Sequence, residues 1–210
     1  FSMTREDQHA KLLKLMESRC DDLPLCQVPQ DIVIGQGNLH SQIMVIGEAP
    51  GAEEAKQRIP FVGRSGQLFN RTLEENGLAR PDLYVSNIVK VRPPGNRDPQ
   101  PDEIKAYLPF LLEEIDLIKP KLFVTLGRFS LNFFLPEAKI TLVHGVLKRI
   151  RWKGRIIYVL PIYHPAAALR NGKLKEAFSQ DIGKIPKALA YIGQRESQAE
   201  QIESIKEALF

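Results

Sequence analysis

Cysteine is nearly missing from this chain. Cys20 and Cys26 are the only two in 210 residues. Two are too few for a disulfide framework, and such scarcity favours a reducing cytoplasm. Long apolar runs are missing as well. None reaches the ~20 residues that span a bilayer, so no membrane partner is expected. No secretory signal is visible at the N-terminus, so none is expected; Phe1-Ser2 before Met3 reads as a vector-derived extension. Internal repeats, low-complexity tracts and linkers are absent too. The length therefore suits one α/β domain over residues 1–210, with a core at about 20–190 and a helical tail at 191–210.

Charge is not strongly of either sign. The formal net charge is +4 and the pI near 9.0, which permits a polyanionic partner without demanding one. The distribution is more telling. Arg92, Arg97, Arg128, Lys148, Arg149, Arg151, Lys153, Arg155 and Arg170 fall at or near predicted loops and a hairpin. Charge alone does not separate a basic rim over nucleic acid from a solvated face.

Hydrophobic periodicity orders the rest. Residues 4–19 predict a helix, and 20–38 a loop region with a turn at Gly35-Gln-Gly37. A buried strand is predicted at about 42–47. Ser65 can cap a helix over 66–76 that Gly77 ends. Strands follow at 83–89 and 121–127, with a helix over 102–118 between them. A hairpin at 149–159 turns at Lys153-Gly154, and helices fill much of 173–208, where Ile202, Ile205 and Leu209 give the tail an amphipathic spacing. Strands alternating with helices imply a parallel sheet covered on both faces, with ligands bound beyond the carboxyl ends of the strands. That places the loop after Gly47, Asn87, Gly127-Arg128 and His164 on one edge.

Several segments on that edge are more than connectors. They are Gly47-Glu-Ala-Pro-Gly51, Pro60-Phe-Val-Gly-Arg-Ser-Gly-Gln67, Ser86-Asn-Ile-Val-Lys90, Arg92-Pro-Pro-Gly-Asn-Arg-Asp-Pro99 and His164-Pro-Ala-Ala-Ala-Leu-Arg170. In order and spacing they resemble the family 4 uracil-DNA glycosylases over roughly residues 20–190. The resemblance implies a three-layer α/β/α sandwich around a four-stranded parallel sheet. It also implies the substrate, uracil-containing DNA, and the products, free uracil and an abasic site, from a protein acting as a monomer.

Residue roles follow from the resemblance and are weighed against plainer readings. A base in a duplex must be flipped out to be reached. Phe61 would stack on it, or else anchor the loop as a core residue. Asn87 can accept from uracil N3–H and donate to O4, or cap the strand end. Glu54 would exclude the thymine methyl, or stand as a loop acid. His164 would hydrogen-bond uracil O2 as negative charge develops there, or pair with backbone. Glu48 would favour the cationic sugar and position water, or buttress the strand exit. By the same resemblance Ala49 would line the base pocket, where many other glycosylases carry Asp. Gly63, Arg64 and Ser65 at a helix start can offer N–H groups to a phosphate. Arg92, Arg97, Arg128 and Arg170 are candidates for DNA charge pairing, and Leu169 for the wedge that fills the vacated stack, or for a core leucine. His40 and His144 read as ordinary.

Two departures from the family stand out. Its members usually hold a [4Fe-4S] cluster on four cysteines. The corresponding places here are Leu23, Cys26, Val91 and Tyr107, and Cys20 does not make up the set. No cluster and no other metal is therefore expected, with Val91 and Tyr107 packing apolar surface instead. A related branch that bonds covalently to DNA uses a His in a loop after the Asn strand, and residues 90–101 contain none. The expectation is a hydrolase that turns over. The competing readings are a DNA-binding module without turnover and a glycosylase for other deaminated bases.

Overall fold

The computed structural model describes residues 3–209, with 202–209 as backbone only. Phe1-Ser2 and the side-chain spacing of Ile202, Ile205 and Leu209 lie outside the described residues.

Six strands form one sheet: β1 (Gln36–Gly37), β2 (Ile43–Gly47), β3 (Tyr84–Asn87), β4 (Leu122–Leu126), β5 (Lys148–Trp152) and β6 (Arg155–Ile162). Their spatial order is β1-β3-β2-β4-β6-β5. The inner four, β3, β2, β4 and β6, are parallel, as expected. The outer two, β1 and β5, add antiparallel edges. β1 arises where only a turn was expected. Gly37 makes it possible: its φ is 130°, and a Cβ there would stand 1.9 Å from the Leu83 carbonyl oxygen.

Every residue of β2, β3 and β4 is buried, as the centre of a doubly covered sheet requires. The pleat divides them. Met44, Ile46, Tyr84, Phe123 and Val159 face a core that includes Leu12 and Met16 of α1 (Arg5–Ser18) and Leu111 and Ile115 of α4 (Pro101–Ile118). Ile43, Val45, Val85 and Val124 face a second core with Phe69 and Leu73 of α3 (Arg64–Glu75), Phe178 and Ile182 of α8 (Gly172–Ile182), and Ile192 of α9 (Ile185–Leu209). Short helices α2 (Ala52–Gln57), α5 (Arg128–Phe134), α6 (Ile140–Val143) and α7 (Pro165–Arg170) complete the layers. No helix among the described residues is long and apolar enough to cross a membrane.

Three local expectations change. Helix α3 starts at Arg64 with Gly63 as N-cap and no side-chain cap there, so Ser65 lies inside the first turn. Glu54 from α2 instead braces the segment leading into the helix, as the Val62 and Gly63 N–H groups donate to its Oε1 at 3.0 and 2.8 Å. The helical tail begins well before residue 191, since α9 runs unbroken from Ile185. The two cysteines, too few for a disulfide framework, nevertheless form a single Cys20–Cys26 disulfide with Cα atoms 5.3 Å apart. A 3-10 turn at Cys20–Asp22 and a left-handed Leu25 (φ 69°) fold the short segment back on itself.

Candidate functional site

The carboxyl ends of the parallel strands open into a cavity of about 590 Å³, lined among others by Glu48, Phe61, Asn87, Asp98, His164 and Arg170. Its construction begins at Gly47, the last residue of β2. A Cβ there would lie 2.4 Å from Phe61 Cζ and 2.5 Å from Asn87 Oδ1. Glycine thus lets an aromatic ring and a carboxamide approach one strand end together.

Phe61 is 5 % exposed and adopts φ 58°, a left-handed conformation unfavourable for a bulky residue. Its surroundings enforce it. A Cβ at Gly66 would fall 2.0 Å from the Phe61 carbonyl carbon, so the helix start packs directly on its backbone. Arg80 donates to the Pro60 carbonyl at 2.8 Å and to Asn70 Oδ1 at 3.1 Å. Burial pulls that guanidinium down to about 10. Glu54 holds the following two N–H groups. Arg58, also left-handed (φ 57°), pairs with Glu17 at 2.5 Å, and its carbonyl accepts from Gln36 at 2.7 Å.

Asn87 closes β3 and is 2 % exposed. Its Oδ1 is buried and has no hydrogen-bond partner among the described residues. An unpaired buried amide oxygen costs about 1–3 kcal/mol relative to a satisfied one, so this group is held ready for something. Beyond the strand, Ile88 and Val89 donate to the Gly47 and Glu48 carbonyls at 3.1 and 3.0 Å, which ties the two strand exits together.

His164 follows β6 and N-caps α7. Its Nδ1 accepts from the Ala166 N–H at 3.2 Å. Burial first, and the Arg170 charge second, pull the imidazole down to about 4. It is therefore neutral at pH 7, and an accepting Nδ1 leaves the proton on Nε2. Its ring centroid lies 6.0 Å from that of Phe61. Gly127, at φ 90°, gives it room, since a Cβ there would sit 3.1 Å from His164 Cβ.

Glu48 stands at the β2 exit. Burial pushes its carboxyl up to about 7, the Asp98 charge adds to this, and Arg128 opposes it. Asp98 and Arg128 form an ion pair beside it. Desolvation leads because the carboxyl, half-buried in the cavity lining, is only partly open to solvent.

The structure thus brings Glu48, Ala49, Glu54, Phe61, Gly63, Arg64, Ser65, Asn87, Arg97, His164 and Arg170 to one cavity. Arg92, Arg128 and Leu169 stand outside its lining. Arg97 is tied to Glu103 at 2.5 Å, and Arg92 to Asn96 at 2.7 Å. Arg64 and Arg170 are exposed and have no ion-pair partner among the described residues. Leu169 is 42 % exposed, so it is no core leucine. Glu54 Oε1 is committed to the 62–63 backbone, leaving Oε2 on the side of Gly51. His144 is not isolated: its Nδ1 lies 2.6 Å from Asp181 Oδ2. Arg80 and Asp98 shape the site without having been singled out. Arg80 gave no signal, because its partner Pro60 is twenty residues away.

Among the described residues, no group of three or more His, Cys, Asp or Glu side chains could hold a metal ion. Leu23, Val91 and Tyr107 are buried in the α1/α4 core, and the Tyr107 hydroxyl donates to the Pro24 carbonyl at 2.7 Å. Cys26 is bonded to Cys20. These side chains do not fit an iron–sulfur cluster, which requires free thiolates.

Comparison with known proteins supplies the family. The model of the uracil DNA glycosylase superfamily matches residues 34–184. A type-4 uracil-DNA glycosylase of Sulfurisphaera tokodaii is 42 % identical over 172 residues, covering 79 % of this chain and 78 % of the relative. Its counterpart in Saccharolobus solfataricus is 39 % identical, over 82 % of each chain. That of Thermotoga maritima is also 39 % identical, over 86 % of this chain and 94 % of the relative.

Proposed function

The chain belongs to the uracil-DNA glycosylase superfamily, and from that premise we propose that it removes uracil from DNA by hydrolysing the N-glycosidic bond, leaving an abasic site. The observation that carries this reading is the carboxamide oxygen of Asn87, buried and unpaired among the described residues, in the cavity that the Phe61 ring and the neutral His164 imidazole also line. Uracil offers N3–H as a donor and O4 as an acceptor on one edge. One carboxamide matches both, whereas cytosine presents the opposite pair.

The proposed reaction follows from the geometry. A flipped uracil stacks on Phe61, and Asn87 reads its N3–O4 edge. The C1′–N1 bond breaks with its electron pair leaving on the base, and negative charge gathers on O2. His164 Nε2–H donates to that oxygen without needing to carry a charge. The sugar becomes cationic. Glu48, when ionised, favours that cation and orients the water whose oxygen bonds to C1′; the water's proton passes to the carboxylate or to solvent. Glu54 Oε2 faces the C5 side, where a methyl group is to be excluded. Gly63, Arg64, Ser65 and Arg170 hold the phosphates, and Leu169 enters the gap in the stack.

We infer further that no iron–sulfur cluster is bound. The support is the side-chain set at the four corresponding positions, where a disulfide and a tyrosine hydroxyl provide the cross-links. Iron analysis of purified protein tests this, and stoichiometric iron would overturn it. The protein is read as a cytoplasmic monomer.

An oligonucleotide carrying a single dU, incubated with the protein and treated with alkali, tests the main proposal. Strand scission is expected, with a loss of about 10²–10³-fold in rate for His164→Ala. A retarded complex without scission, or scission at hypoxanthine but not at uracil, overturns it.

A further inference from the structure

Beneath Asn87 lies a charged network that the proposed reaction does not use. Lys90 and Glu114 are both fully buried, at 0 % side-chain exposure. The Lys90 ammonium donates to Ser86 Oγ at 2.6 Å, to the Asn87 carbonyl oxygen at 2.8 Å and to Glu114 Oε2. An ammonium has three N–H donors, and all three are used. Glu114 Oε2 also accepts from Ser86 Oγ at 2.8 Å. Its Oε1 accepts from the Gly35 N–H at 2.7 Å and the Tyr84 hydroxyl at 3.0 Å. His9 Nε2 extends the chain, 3.1 Å from the Tyr84 hydroxyl and 2.9 Å from the Gly35 carbonyl.

Two features make this more than a buried ion pair. The first is its satisfaction: lysine and glutamate are saturated, while the side-chain oxygen of the adjoining Asn87 is left bare. The network grips the asparagine by its backbone and leaves its side-chain oxygen uncommitted. The second is energetic. A buried pair is not by itself a source of stability, since an apolar pair of similar volume often serves as well or better. Its use must be sought in what it fixes. It joins β3, the segment from Gly35, α4 and α1 at the one strand end where a carboxamide must be aimed without a partner of its own.

We propose that Lys90, clamped by Glu114, is the positioning residue that aims the Asn87 carboxamide at the base. The inference rests on the reading of Asn87 given above. A base-reading group must be held within about half an ångström of its productive geometry by surrounding contacts. Here the contact is the ammonium on the Asn87 carbonyl, and Glu114 sets where that ammonium sits.

The test is a double-mutant cycle in the whole protein. Lys90→Met with Glu114→Gln removes both charges together, so neither is left buried alone. It is made in the wild-type and in the Asn87→Ala backgrounds. Uracil excision is measured as kcat/KM on a dU oligonucleotide, and affinity is measured on DNA carrying a tetrahydrofuran abasic analogue, which has no base. With Asn87 present, kcat/KM should fall about 10- to 100-fold while abasic-analogue affinity stays within twofold. In the Asn87→Ala background the same pair should cause less than a threefold further loss, because residues acting through one another are not additive. Equal losses in both backgrounds, or a parallel fall in abasic-analogue affinity, would overturn the proposal, as would unchanged kcat/KM. Should the double variant not fold, Lys90→Gln with Glu114→Gln, which removes both charges but keeps polar groups at both positions, is read by the same cycle, with a smaller loss again confined to the Asn87 background. Failure of the wild type itself to excise uracil would instead refute the proposed function.

Discussion

Glu48 should weaken the protein it serves. Its carboxyl is pushed from an ordinary 4.5 to about 7 in the folded chain, chiefly by desolvation. An acid with a raised folded value binds its proton more tightly folded than unfolded. Relative to the neutral side chain, the cost is therefore absent well below 4.5, grows as pH rises between 4.5 and 7, and is constant above. The shift corresponds to a ceiling of about 3 kcal/mol at ~1.4 kcal/mol per unit. The side chain faces an open cavity and is partly screened by solvent, which reduces this to ~1–2 kcal/mol. Glu48→Gln removes the ionisation and keeps the shape. At pH 8 it should raise Tm by about 2–6 °C for a chain of this size. At pH 4.5 the gain should shrink to a few tenths of a kcal/mol, roughly. Thermal melts across this pH range check the curve. The same variant should lose activity above pH 7, where the carboxylate is the working form. Wild-type kcat/KM should rise with pH through about 7, and the variant profile should be flat there. His164 cannot supply that limb, because it is already neutral above about 4. A Glu48→Gln protein with a Tm equal to or below wild type at pH 8 would refute the reasoning.

Other outcomes follow from the walls of the cavity. Gly47→Ala places a methyl group 2.4 Å from Phe61 Cζ and 2.5 Å from Asn87 Oδ1, so kcat/KM on dU-DNA should fall at least about 100-fold while the fold is destabilised by ~1–3 kcal/mol; wild-type kinetics in this variant would show that the site does not form at this strand end. Arg80→Met frees the Pro60 carbonyl and should cost about 1–3 kcal/mol by urea melts, with weaker binding of free uracil as the Phe61 backbone relaxes. Unchanged uracil affinity alongside lost stability would confine Arg80 to a structural role.

Much of this was legible in the chain. The parallel strands announced themselves as short apolar runs, and α4 through its helical spacing, because burial on two faces or one leaves a periodic trace. The hairpin turned where Lys153-Gly154 said it would, both residues taking positive φ. Phe61, Asn87 and His164 could be named because their residue types answer the base chemistry and their neighbours carry a family pattern. What stayed hidden depends on contacts between distant residues. Lys90 and Glu114 are separated by 24 positions, and nothing local distinguishes a buried lysine from a solvated one. Ser65 had the right chemistry for a cap, yet it lies inside the first turn, and Glu54 braces the segment before it from another element. β1 is two residues long, too short for any alternation to show, and the disulfide depends on a left-handed Leu25 that its side chain does not foretell.

The left-handed backbone at Phe61 has one more implication. Under the proposed function, a ring fixed before any ligand arrives requires no segment of chain to order itself around each candidate base. Testing a nucleotide then means only a brief visit to a finished slot, and rejecting one means leaving it unchanged. A searcher confronted with very many normal bases for every damaged one can work through them quickly under such an arrangement, since the conformational work was done once, when the chain folded.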